Sequence, residues 1–133
     1  MSLERGFLER IYPEGSPTPR GPYSPAIRAG DFIFVSGQGP IDPATDQLSP
    51  GDIQHETRLT LQNLQRILAA CGATLADVVK CSVFLLDAAE FSRMNEVYKE
   101  FFGETRPART TVEAKFASPM RVEIDCIAYK PRP

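Results

Sequence analysis

The sequence is short of the groups that carry most protein chemistry. Its 133 residues hold one histidine, His55, and three cysteines, Cys71, Cys81 and Cys126, with no CxxC pair among them. A ribonuclease mechanism built on two histidines cannot be assembled within such a chain. The odd cysteine count and the apolar segments around each thiol argue against a disulfide framework or zinc site, and point to reduced, buried thiols in a cytoplasmic protein. Positive charge is not in excess either: the formal net charge is -2. A basic patch that would neutralise phosphates is therefore not expected, nor is a nucleic-acid partner. No apolar run nears the ~20 residues that span a bilayer, and the first residues hold no signal-peptide core. GxSxG, HExxH and a phosphate-cradling glycine loop are all missing. The stretch Asp42 to Asp46 reads as a turn and not as a calcium loop.

What is present is enough for a single domain over residues 1–133 with a core of its own. Phe7 to Tyr12 reads as a short strand, and the proline- and glycine-rich passage after it as an ordered loop. In the strand Asp31 to Gly37, Phe32 and Phe34 alternate with Ile33 and Val35, so neither face suits water. Gly37 and Gly39 bracket Gln38 at its end, where missing Cβ atoms would let a small ligand approach the backbone. A first helix is signalled by Ser49 as cap, Pro50 as first helical residue and Asp52 in the first turn. Thr57, Leu61, Leu64, Leu68 and Cys71 form its apolar stripe with Ile67 beside them, and Gly72 ends it. A strand from Asp77 to Leu86 is followed by a second helix starting near Asp87, with Phe91, Met94, Val97, Tyr98 and Phe101 on its buried side and Gly103 at its end. Two alternating runs close the chain, Ala108 to Phe116 and Arg121 to Tyr129, and the link through Pro119 makes them read as a β-hairpin.

This order gives an α+β fold, a mixed sheet with two helices packed on one face. The strand-helix-strand passages favour parallel neighbours and the closing hairpin is antiparallel. Two helices cover one face only. The other is apolar at Phe32 and near Val78, so it is expected to be buried against further copies of the chain.

Two residues of the closing stretch stand out. Arg109 carries a planar donor fork suited to a carboxylate, although a surface ion pair is the ordinary role of a strand arginine. Glu123 lies between Val122 and Ile124, and burial would raise its proton affinity toward that of a useful base. In a hairpin pairing Val112 with Ile124, the residues Arg109, Thr111, Glu113, Glu123 and Asp125 share one face. Arg109 and Glu123 then lie roughly 13 Å apart along it. Either a bulge or a subunit boundary would have to bring them together. His55, beside Gln54 and Glu56, reads as a solvated helix residue.

Gly21-Pro22-Tyr23-Ser24, Val35-Ser36-Gly37-Gln38, Asn95-Glu96-Val97-Tyr98, Pro107-Ala108-Arg109-Thr110 and Val122-Glu123-Ile124 follow one another in the order and spacing of the RidA/YjgF family of reactive intermediate deaminases, which the chain resembles from about Gly21 to Tyr129. The resemblance implies a chorismate-mutase-like fold and a homotrimer with a small-molecule cleft at each interface. It also implies hydrolysis of 2-iminopropanoate and 2-iminobutanoate to 2-keto acids and ammonia, with no metal or organic cofactor. Carried over by position, Arg109 would hold the substrate carboxylate and Glu123 would place or activate water. Tyr23, Ser36, Gly37 and Asn95 would line the cleft. Thr111 stands where many relatives carry cysteine, which removes a thiol and leaves a hydroxyl contact, and Gly39 stands where many carry a larger apolar residue, which would enlarge the pocket or loosen its wall. Competing readings are a non-catalytic trimer that binds carboxylate metabolites, an endoribonuclease or translation inhibitor, and a deaminase of an aminomuconate-type compound.

Overall fold

A computed structural model describes residues 8–133. Eight strands, β1 (Leu8–Ile11), β2 (Ala26–Ala29), β3 (Phe32–Gln38), β4 (Ile41–Asp42), β5 (Gln47–Leu48), β6 (Val78–Leu85), β7 (Ala108–Glu113) and β8 (Val122–Tyr129), alternate with two α-helices, α1 (Ile53–Ala70) and α2 (Phe91–Phe102). The main sheet runs β1-β2-β3-β8-β6-β7, and β4 pairs with β5 in a separate small hairpin. Of the first expected strand, Phe7 lies outside the described residues.

The apolar periodicities place the helices. Asp52 accepts the His55 amide at 2.8 Å and caps α1, so the helix begins at Ile53 and not at Pro50 as the Ser49-Pro50 pair suggests. Gly72 adopts a φ of 78°, the left-handed conformation that ends the helix. From α1, Leu61, Leu64, Ile67 and Leu68 are fully buried, and Met94 and Val97 of α2 join them. They cover the face of the sheet made by Ile33, Val83, Val122, Ile124 and Ala128.

The closing stretch does not form a hairpin. β6 lies between β7 and β8, pairing in parallel with β7 (Cys81 opposite Arg109) and antiparallel with β8 (Phe84 opposite Glu123). A crossover of a dozen or more residues favours a parallel neighbour, and α2 supplies one between β6 and β7. β8 then enters the middle of the sheet, where both its edges find partners, and its alternating burial puts Val122, Ile124, Cys126 and Ala128 in the core. The same insertion separates β3 from β6, which run in the same direction without touching.

The second face of the sheet is open; it is apolar at Phe32, Phe34 and Tyr129, as expected for β3, and polar at Lys80, Ser82, Glu123 and Asp125. Phe34 is 45% and Tyr129 46% exposed on it. Phe32 stacks on Tyr129 with ring centroids 5.2 Å apart.

One buried carboxylate ties α1 to the entry of β8. Glu56 is 1% exposed and accepts from the Arg121 amide at 2.7 Å and the Gly51 amide at 3.1 Å. Truncation would leave both donors without acceptors, and an amide so orphaned costs of the order of 1–3 kcal/mol. Glu56→Ala is therefore expected to lower stability by about 3 kcal/mol in urea unfolding, with no loss of helix content in the native baseline.

Candidate active site

Glu123 sits where β3 is irregular. Val35 pairs with Cys126 and Gln38 with Ile124, so Ser36 and Gly37 together face Asp125 alone, a β-bulge. The open face of β8 points Glu123 at this bulge. A Cβ on Gly37 would stand 2.6 Å from Glu123 Oε2, so the carboxylate occupies room that only glycine leaves. The missing side chain thus serves the protein's own carboxylate. Burial, and then the charge of Asp125, pushes the Glu123 pKa up from the ordinary carboxylate value.

The proline-rich loop is fixed around this carboxylate. The Ser36 amide donates to the Pro25 carbonyl at 2.9 Å, and Ser36 Oγ donates to the Ser24 carbonyl at 2.6 Å. Tyr23 Oη accepts from the Arg20 amide at 3.0 Å. Arg20 in turn bonds the Asp46 side chain at 3.1 Å and its carbonyl at 2.6 Å, across the small β4–β5 hairpin. Together these contacts frame a cavity of about 490 Å³ whose wall includes Tyr23, Gly37, Phe116, Met120 and Glu123. The 42–46 stretch is the turn the sequence suggests, with Asp42 Oδ1 accepting the Ala44 amide at 2.9 Å.

Arg109 lies elsewhere. It is on edge strand β7, on the side of the sheet that the helices cover, because it is level with buried Cys81. Its guanidinium rests over two rings of α2, 4.7 Å from the centroid of Tyr98 and 5.5 Å from that of Phe91. No carboxylate stands within ion-pair distance of it among the described residues. The fork is therefore not the ordinary surface ion pair. Around it, Asn95 Oδ1, Tyr98 Oη and Thr111 Oγ1 are buried with no hydrogen-bond partner. Burial holds the Tyr98 phenol far above its usual pKa, so it stays protonated.

The sequence-derived residues thus fall into two groups. Tyr23, Gly37 and Glu123 line the cavity at the bulge, and Ser36 lines a neighbouring cavity that shares Tyr23, whereas Arg109, Thr111 and Asn95 cluster at the edge of the sheet with α2. The shared face that a hairpin register gives to Arg109 and Glu123 is overturned: β6 intervenes, and the two side chains leave opposite faces. Two strand spacings and three residues along the strands separate their Cα atoms by roughly 14 Å. Tyr98 reads from the sequence only as a core residue, though its position one turn after Asn95 was a usable signal. Asp125, which raises the Glu123 pKa, was visible at i+2 on the same strand face.

His55 is exposed, and its Nε2 lies 2.9 Å from the Ser49 carbonyl and 3.1 Å from Ser49 Oγ, a local tie at the start of α1. Cys81 and Cys126 are buried, Cys71 is half-buried, and all three are free thiols. No described helix is long and apolar enough to cross a membrane.

Comparison with known proteins gives this two-part arrangement a context. The endoribonuclease L-PSP family model matches residues 14–130. The chain belongs to that family, which includes RidA and YjgF. Among relatives, a RutC family protein of Pyrococcus horikoshii is 50% identical over 92% of this chain and 98% of its own length. The 3-aminoacrylate deaminase RutC of Acinetobacter baylyi is 39% identical over 91% of this chain and 97% of its own. The crystal structure of E. coli TdcF with bound serine superposes with a TM-score of 0.86 at 35% identity, over 92% of this chain and 98% of that one. Family membership and the sheet topology agree: two helices on one face of a mixed sheet is the fold of these structures.

Proposed function

We propose that the protein hydrolyses 2-imino and enamine acids, 2-iminopropanoate and 2-iminobutanoate among them, to 2-keto acids and ammonia, in clefts completed between copies of the chain in a homotrimer. The observation that carries this reading is the division just described: an arginine fork without a carboxylate on one face, and a carboxylate of raised pKa in a cavity on the other. The deaminase named among the relatives and the amino acid bound to TdcF support the substrate class. The open face bearing Phe32, Phe34 and Tyr129 supports assembly.

The chemistry follows from the groups. Arg109 of one copy holds the substrate carboxylate with two charge-assisted hydrogen bonds, which fixes the adjacent imine carbon in place. Ionised Glu123 of the next copy takes a proton from water as its oxygen bonds to that carbon and the C=N π electrons move to nitrogen. Glu123 returns that proton to nitrogen, giving a carbinolamine with a hydroxyl and an amino group on one carbon. Glu123 next takes the hydroxyl proton and delivers it to the amino nitrogen as the C=O bond forms and the C–N bond breaks, so that ammonia and the 2-keto acid leave. An imine hydrolyses unaided at a finite rate, so positioning and one base suffice. Asn95 Oδ1 and Thr111 Oγ1 are buried near Arg109 without hydrogen-bond partners, so they reach polar atoms of the substrate only once the side chains over them turn outward.

A mixing experiment tests the cleft and the activity together. 2-Iminopropanoate is generated in situ by an amino-acid oxidase and its decay followed. Arg109→Ala and Glu123→Gln proteins are each expected to be nearly inactive. Unfolded together, mixed in equal amounts and refolded, they should regain about a quarter of the parent rate, since one interface in four then holds both native residues. No acceleration by the parent sinks the deaminase reading. An active parent with no recovery on mixing sinks the shared cleft. Binding of 2-keto acids without turnover would instead favour a metabolite-binding trimer.

A further inference from the structure

We infer that Met120, lodged in the space left by Gly39, selects the substituent on the imine carbon, and that the site takes 2-imino acids with branched or long apolar side chains. The inference rests on the deaminase reading above and names the substrate class of that same site.

Gly39 is buried just beyond β3, and a Cβ there would stand 2.8 Å from Met120 Sδ and 3.8 Å from Met120 Cε. The absent side chain therefore does not widen the pocket as the sequence suggests; the thioether fills the space. Both residues line the same cavity of about 490 Å³ as Glu123. If the carboxylate turns toward the neighbouring copy's arginine and the imine carbon toward Glu123, the substituent faces the rest of the wall. That wall joins apolar Ile41, Leu48, Phe116 and Met120 to Arg20, Lys115 and Ser118, and of these polar groups Arg20 is already held by Asp46 and the Thr18 carbonyl. On the side of one chain alone the cavity has more room than a three-carbon imino acid needs, and the neighbouring copy closes its open side. Met120 is unbranched and flexible, and shapes the remaining volume to the substituent. Each methylene buried there is worth about fourfold in binding.

The test compares kcat/KM for imines generated from alanine, 2-aminobutyrate, leucine and methionine by a broad amino-acid oxidase. In the parent, the leucine-derived imine is expected to exceed the alanine-derived one by about tenfold or more. Gly39→Ala drives the thioether into the cavity and should cut that ratio by at least about tenfold, kcat/KM for the leucine-derived imine falling much further than that for the alanine-derived one. The double variant Gly39→Ala/Met120→Ala should restore the ratio, which a general loss of structure could not do. An unchanged ratio in Gly39→Ala, or no restoration in the double variant, overturns the inference. Should Gly39→Ala not fold, Met120→Phe makes the same intrusion from the other side, and an unchanged ratio there counts equally against it. If the parent turns over no imine at all, the deaminase reading fails separately. Calorimetric affinities for pyruvate and 4-methyl-2-oxopentanoate then read the same size preference in the same variants, and a preference that does not move overturns the inference.

Discussion

Arg109→Ala is expected to lower kcat/KM for 2-iminopropanoate about a thousandfold while leaving the fold intact. Two hydrogen bonds from a charged fork to a carboxylate are each worth roughly 1.5–3 kcal/mol. Losing about 4 kcal/mol of transition-state binding is about three powers of ten in rate. The stability cost is small by comparison. Arg109 is half-exposed on an edge strand, and what it loses inside its own chain is stacking on Tyr98 and Phe91, an effect of about 1 kcal/mol. Arg109→Lys keeps the charge without the planar fork or the stacking surface, so it should recover only part of the loss. An alanine variant within tenfold of the parent would remove Arg109 from the mechanism.

Glu123→Gln has effects of opposite sign on rate and stability. A positioned base contributes about 10²- to 10⁴-fold, and that factor should vanish from the rate. In the parent, kcat/KM should rise with pH along a limb that lies above the ordinary carboxylate value of 4.5, because burial and Asp125 hold the proton on Glu123. The glutamine variant should lack this limb. Stability runs the other way. Between the unfolded and the raised native pKa, the native state keeps a proton that the unfolded state has released, so stability falls as pH rises through that window and stays lower above it. Glutamine carries no such penalty. The variant's Tm should exceed the parent's at neutral pH, and the two should converge below about pH 4.5, where the parent carboxylate is protonated. Equal Tm values across the range would mean that the carboxylate is not held in a dehydrating setting.

Much of this was legible in the chain. The two helices follow from apolar residues at spacings of three and four, and their C-terminal ends from Gly72 and Gly103, whereas the start of α1 lies at Asp52 and not at the Ser49-Pro50 pair that signals it in the sequence. The open apolar face follows from Phe32 and Phe34 alternating with Ile33 and Val35. What misled was the closing stretch. Adjacent alternating segments joined by a short link look like a hairpin, and nothing local to Ala108–Tyr129 reveals that β6 lies between them; that depends on α2 returning the chain to a parallel edge position. β2 was missed too, because Ala26–Ala29 directly follows a proline-rich loop. The two-residue Gly30-Asp31 connection to β3, with Gly30 at φ 59°, is a hairpin turn signal that would have recovered it. Arg109 and Glu123 could be picked out by chemical type. Their division between two faces could not, because the face assignment depends on the pairing that was misread.

The central position of β8 also governs how the protein is made. Its partners β3 and β6 wait on either side for a strand that is synthesised after both, and until it arrives the sheet has a gap in the middle and the helices have only part of a surface to pack on. The most extensive pairings of the finished sheet are those of β8 with β6 and with β3, and a pairing as distant in sequence as that of β3 with β8 closes slowly. A nascent or truncated chain ending before Val122 would present two unpaired inner strand edges and the apolar sides of both helices to solvent. The segment Val122–Tyr129 therefore decides whether the elements before it close into a sheet or stay open to aggregation.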